Sequence, residues 1–216
     1  LKFAGPLEDG IVLDGQHRLH AVVEADVDVM MVVVSDLPME VQETMDTGSR
    51  RTTADVFGLR GKTNAQTLAA VLKRVWLWDQ GDRKFAKNQS PTNAECAQLL
   101  DKHPEIHRSV EIAARTYLTF RGLPKSICGT AHHILSRIAL DEAVWFFARV
   151  GDGADLPVGH PILTLRNRIM TDRSDRKNIP EHLYMAYVIR SWNAVRDGRD
   201  LGRIQQASDA PMPLPK

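Results

Sequence analysis

The sequence predicts an α+β protein, with a small α/β unit at its start followed by an all-α helical region. Two observations carry that expectation. Between Gly10 and Asp36, "GIVLDGQHRLHAVVEADVDVMMVVVSD", short β-branched runs flank one stretch with helical spacing. Beyond Lys62 the strand signals almost vanish, and apolar residues recur three and four apart. The division expected is an α/β domain over 1–61, a helical domain over 62–206 and a Pro-rich extended tail over 207–216.

Ile11 to Leu13 reads as a short buried strand, ended by a sharp turn at Asp14 and Gly15. Gln16 to Ala25 then reads as a helix with Leu19, Val22 and Val23 on one face and His17, His20 and Glu24 on the other. Val27 to Val34 is β-branched and apolar, which predicts an interior strand. Pro38 suits the first turn of a short helix through Met45. Asp46-Thr47-Gly48 forms a turn, and Thr53 is placed to cap a helix that stops near Gly61.

In the second half, Asn64 is placed to cap a helix bearing Leu68, Val71, Leu72 and Val75, with a polar loop from Asp79 to Gln89. Thr92 and Glu95 have capping-box spacing. Further helices are expected over Glu105–Phe120, Ser126–Ile138, Asp141–Val150, Pro161–Met170 and Pro180–Asp197. Trp76, Trp78, Trp145 and Trp192 lie within helical patterns and read chiefly as core.

Composition narrows the functional classes. Lys+Arg is 28 against Asp+Glu 27, so the overall charge does not point to nucleic acid and any basic surface must be local. The longest apolar run, Val29 to Val34, is far too short to span a bilayer, and no secretory leader pattern opens the chain. Cys96 and Cys128 fit neither a disulfide framework nor a zinc ribbon, so a reducing cytoplasm is expected. The chain opens at Leu1 rather than Met and reaches the strand–turn–helix early, so an N-terminal truncation is also expected.

Two segments carry candidate chemistry. At Asp14-Gly15-Gln16-His17-Arg18, the first amides of a helix have no intrahelical partner, and Gly15 admits a phosphate close to the backbone. Arg18 suits phosphate oxygens, and His17 can hydrogen-bond or transfer a proton. The competing reading is that Asp14 caps the helix while the cations face water. At "MDTGSRR", Asp46 could hold Mg²⁺ through its carboxylate, and Arg50 and Arg51 could meet a phosphate. Taken alone, a solvated loop explains this segment better.

"VLDGQHRLHAVV" followed by "TMDTGSRRTTADVFGLRG" resembles the ParB/sulfiredoxin-like superfamily, closest to phage and actinobacterial proteins labelled ParB-like nuclease domain. The resemblance implies a small α/β fold over about Leu1 to Gly61, whose turn holds nucleotide phosphate. It carries that role onto Gly15, His17 and Arg18. Gln16 stands where sulfiredoxin has its reactive Cys, which removes thiolate chemistry. Asp46-Thr47 with Arg50 or Arg51 resembles the ParB segment that helps hold metal and phosphates, with Thr47 replacing the metal-contacting Asn.

The resemblance thus implies a nucleotide-phosphate-binding protein, an NTP hydrolase or nucleotide switch in a DNA-related process. Its ligands would be Mg²⁺ and a nucleoside triphosphate, CTP or ATP. His17 and Asp46 are the candidate catalytic residues. Asp14, Gly15, Gln16, His17, Arg18, Thr47, Gly48, Arg50 and Arg51 are the candidate phosphate contacts, with Asp46 also the metal ligand. The alternatives are a metal-dependent DNA nuclease and a non-catalytic DNA- or protein-binding adaptor. A nuclease would need a cluster of carboxylates, and Asp14, Asp46 and Asp55 are the acids at hand.

Weaker patterns complete the reading. His103 and His107 are four apart, a metal-ligand spacing, but Pro104 interrupts them and no third ligand is evident. Cys128 and His132 read as helix-packing residues. Arg166, Arg168, Arg173, Arg176, Lys177, Arg190, Arg196, Arg199 and Arg203 could contact DNA. The interleaved Asp172, Asp175, Asp197 and Asp200 favour a solvated face laced with ion pairs.

Overall fold

A computed structural model describes residues 1–43, 52–59, 61, 63–85, 89–175 and 178–216. The chain divides into two compact units, Leu1–Thr52 and Thr53–Lys216. The sequence placed the change near Gly61. The observed division assigns the Thr53–Leu59 helix to the helical unit, where Phe57 shares a core with Leu68, Val71 and Leu72.

The first unit is a three-stranded mixed sheet with one helix among its described residues. β1 (Lys2–Ala4) is central, β2 (Ile11–Asp14) pairs with it antiparallel and β3 (Val34–Leu37) pairs with it parallel. The register sets Phe3 opposite Val12 and Lys2 opposite both Asp14 and Val34. Phe3 and Leu13 are the buried side chains of the sheet. Between β2 and β3 runs α1, Gln16–Ala25, with the bounds expected. A 3-10 turn over Met39–Glu43 stands where a short helix through Met45 was expected.

One strand expectation is corrected. Val27 to Val33 is not a strand, and β3 begins only at Val34. Val29 is 53% exposed, Met30 101% and Val32 82%, so this run is not an interior one. An apolar, β-branched run shows that burial would be favourable. It does not supply the neighbour that buries it, and β3 reaches the sheet only through its β1 edge.

The helical unit contains α2 (Thr53–Leu59), α3 (Ala65–Asp79), α4 (Asn93–Lys102), α5 (Ile106–Thr119), α6 (Lys125–Ser136), α7 (Leu140–Asp152), α8 (Pro161–Ser174) and α9 (Glu181–Arg196). Every residue of α6 from Ile127 to Leu135 is buried, because the helix packs against α3, α5, α7 and α9. Such a helix, buried on all sides though it carries Thr130, His132 and His133, is central to the unit. At Gly129 a Cβ would come within 2.8 Å of a Val71 methyl, so glycine allows α6 to approach α3 closely. Phe146, Phe147, Trp192 and Ile189 continue the core through α7 and α9.

Local chemistry explains several helix ends. The Thr92 hydroxyl accepts from the Glu95 amide at 3.2 Å, and the Glu95 carboxylate accepts from the Thr92 amide at 2.8 Å, a complete capping box on α4. Pro161 opens α8, and the His160 ring accepts from the Ile162 amide. Two cap assignments are corrected. Thr53 is the first residue of α2, and its hydroxyl donates to Asn93 Oδ1 at 2.8 Å instead of capping. Asn64 does precede α3, but it is left-handed (φ 54°) and its side chain makes no cap hydrogen bond.

Trp78 and Trp192 are buried and Trp76 is half-buried, whereas Trp145 is 44% exposed and contradicts its core reading. The Pro-rich tail has no regular structure and lies along α9. There the Trp192 indole donates to the Lys216 carbonyl at 3.0 Å, and Asn193 donates to that of Leu214. No helix among the described residues is long and apolar enough to cross a membrane.

Candidate functional site

In the first unit, β2 delivers its chain to a turn at Gly15, where φ is +102°. L-residues avoid that region, and a Cβ here would also fall 2.4 Å from a Leu1 side-chain carbon. The positive φ is what requires glycine, since the Leu1 carbon is the far end of a flexible side chain that can move aside. The Gly15 carbonyl accepts the first intrahelical bond, from the Leu19 amide at 3.0 Å, so the amides of Gln16, His17 and Arg18 precede the helical ladder.

Gly15, at the cap position, has no side chain to cap this end of α1, and no capping bond is present among the described residues. Asp14 turns instead to Arg18, at 3.6 Å, with 40% and 64% of the two side chains exposed. The competing reading of Asp14 as the helix cap is therefore not what the geometry contains. An exposed ion pair of this length contributes little, so Arg18 can exchange partners cheaply. Gln16, His17 and Arg18 all face solvent.

The structure thus brings Asp14, Gly15, Gln16, His17 and Arg18 to one turn. The remaining candidates, Asp46, Thr47, Gly48, Arg50 and Arg51, lie outside the described residues.

The helical unit contains a second constellation, which the sequence reading missed. His103 terminates α4, Glu105 precedes α5, and His133 lies in the buried core of α6. His103 Nδ1 is 3.1 Å from Glu105 Oε1, and His133 Nδ1 is 3.9 Å from the same oxygen. The two imidazoles meet edge to face with centroids 5.5 Å apart. One donor atom from each of the three residues lies within 4.8 Å of the others.

His107 is not part of this group, in keeping with the objection to the His103–His107 spacing; the group is His103, Glu105 and a residue from a distant helix. Pro104 separates α4 from α5, which breaks the helical face that His103 and His107 would have shared. The sequence signal was present in "HPEIH" and "AHHIL", but only packing of α6 on α5 connects them.

The two adjacent histidines of α6 differ in their partners. His132 Nδ1 is 2.8 Å from the Ser109 hydroxyl, and its ring packs on Phe147. Burial, reinforced by the Arg108 charge, pushes His132 down to about 4. Burial likewise pushes His133 down to about 4 and outweighs the Glu105 carboxylate, which pulls it upward. Burial raises the Glu105 carboxyl, but bonds from its own backbone amide and from His103 outweigh it and leave the group below its ordinary value.

The described members of the basic run are largely engaged inside the helical unit. Arg166 donates to the carbonyls of Val150 and Gly151 at the end of α7 and lies over the Phe120 ring. Arg168 holds Asp172, Arg173 donates to the Arg121 carbonyl, Arg190 meets Gln206, and Arg196 meets Glu142 and the Lys216 carbonyl. Arg176 and Lys177 are outside the described residues. Of these pairings only Arg168–Asp172 uses an interleaved aspartate; the others go to backbone carbonyls, Gln206 and Glu142, rather than to the solvated ion pairs expected.

Comparison with protein-family models, curated proteins and solved structures finds no match to this chain.

Proposed function

We propose that the first unit is a ParB-like nucleotide-phosphate-binding module, acting as an NTP hydrolase or nucleotide switch in a DNA-related process. One observation supports this above the rest. α1 begins at a positive-φ glycine, carries no side-chain cap, and sets an exposed Arg18 beside its first amides. That combination of amides ahead of the helical ladder, the positive end of a helix dipole and a displaceable guanidinium suits a phosphate.

In this reading the amides after Gly15 and the Arg18 fork take the phosphate oxygens, while His17 hydrogen-bonds a phosphoryl oxygen or positions water. Mg²⁺, assigned to Asp46, would supply charge neutralisation to the phosphates when bound.

The test is calorimetric titration with CTP, ATP, GTP and UTP in the presence of Mg²⁺. The expected result is saturable binding of one nucleotide, weakened at least tenfold in Arg18→Ala. No binding to any of the four would reduce the turn to a structural element and favour the adaptor reading.

A further inference from the structure

We propose that His103, Glu105 and His133 form a binding site for a zinc-class divalent ion, with a fourth coordination position open to solvent. This site lies in the helical unit and is independent of the nucleotide reading. Its donors, two imidazole nitrogens and one carboxylate oxygen, are the types that such an ion takes. In tetrahedral coordination with bonds of about 2.0–2.1 Å, ligand atoms stand roughly 3.3 Å apart. The observed separations of 3.1 and 3.9 Å from Glu105 Oε1 bracket that figure. The third separation, between the two imidazole donors, is within 4.8 Å, so binding would draw the three side chains together.

A second observation points to a ligand. His133 is wholly buried, yet neither ring nitrogen has a hydrogen-bond partner among the described residues. Leaving a buried polar atom unsatisfied is costly, and native interiors rarely tolerate it without a water, an ion or a function. Here Nδ1 is turned toward the Glu105 carboxylate but stops beyond hydrogen-bond distance, at 3.9 Å. An ion between them would give His133 Nδ1 a partner and balance the Glu105 charge.

The burial gradient supports an open position. His133 forms the floor, whereas the side chains of His103 and Glu105 are 19% and 47% exposed. A bound ion would be held from below by α6 and reached by water from the α4–α5 corner. Three protein ligands and one exchangeable position are the arrangement of a reactive metal centre rather than a closed structural one.

The experiment is a titration of the metal-free chain with Zn²⁺ and with Co²⁺, read by calorimetry and by the visible ligand-field bands of tetrahedral cobalt. Because His133 is a core residue, the decisive variants are His103→Asn and Glu105→Gln, with folding checked by circular dichroism without metal. One ion per chain, four-coordinate cobalt bands and at least tenfold weaker binding in each variant are expected. Absence of saturable binding, or undiminished binding in either folded variant, would overturn the site.

Discussion

Arg168 and Asp172 stand one turn apart on α8, and Arg168 Nε donates to Asp172 Oδ2 at 2.8 Å while Asp172 is only 1% exposed. The same guanidinium donates to the Tyr187 hydroxyl of α9 at 3.1 Å and lies over its ring. A pair that resembles surface helix decoration in the sequence therefore joins two helices across a buried carboxylate.

Arg168→Ala is accordingly expected to destabilise the helical unit by about 3 kcal/mol, because it removes a charge-assisted hydrogen bond from a buried carboxylate and the bond to Tyr187. Arg168→Lys should recover part of this, since an ammonium restores charge but not the planar fork. Urea unfolding followed by tryptophan fluorescence measures both. A loss no greater than that of Arg199→Ala, whose partner Asp197 is more exposed, would refute the buried-pair account.

Gly15→Ala is predicted to disturb the head of α1. A side chain at φ +102° costs roughly 1–2 kcal/mol. Hydrogen exchange of the α1 amides should quicken by about tenfold, as expected for ~1.4 kcal/mol of lost local stability. Unchanged protection would mean that the turn tolerates an ordinary residue.

Thr92→Ala should cost about 1 kcal/mol through loss of the α4 cap. The pH dependence follows from Glu95, whose carboxyl is held below its ordinary value chiefly by the Thr92 backbone amide. A carboxyl depressed on folding contributes stability above its unfolded pKa and loses it as pH falls through the folded one. Acid titration of Glu95 by NMR should show the depressed value in the native chain and a smaller depression in Thr92→Ala. Coincident titration curves would argue against the reciprocal box.

Both cysteines should be unreactive in the native state. Burial pushes the Cys128 thiol up to about 12, and burial also raises Cys96 against a bond to Thr53. A thiol-specific reagent at neutral pH should label neither until denaturant is added, when two thiols per chain react. Rapid native labelling of either would show an opening that the packed helices do not imply.

Much of the helical unit was legible because helix formation is signalled over short distances. The α5 to α9 segments, the Thr92–Glu95 box and the bounds of α1 follow from apolar spacing and end chemistry within a turn or two. The Asp14–Arg18 turn could be read for the same reason, as a glycine and a cation at the head of a helix. Cap details at Thr53 and Asn64 were misjudged because a hydroxyl or amide chooses among partners that local spacing cannot rank.

What the sequence alone determined is therefore the succession of helices in the second half and the glycine turn at which a strand becomes α1; the central strand β1 it did not signal. What only the tertiary structure decided is which apolar runs find cover and which polar groups converge. Val27 to Val34 looked like an interior strand and is exposed through most of its length, while His133, assigned no role by the sequence, faces Glu105 and His103. The physical reason is range. Backbone propensity and caps act among neighbours in sequence, whereas burial and coordination depend on helices brought together from distant parts of the chain.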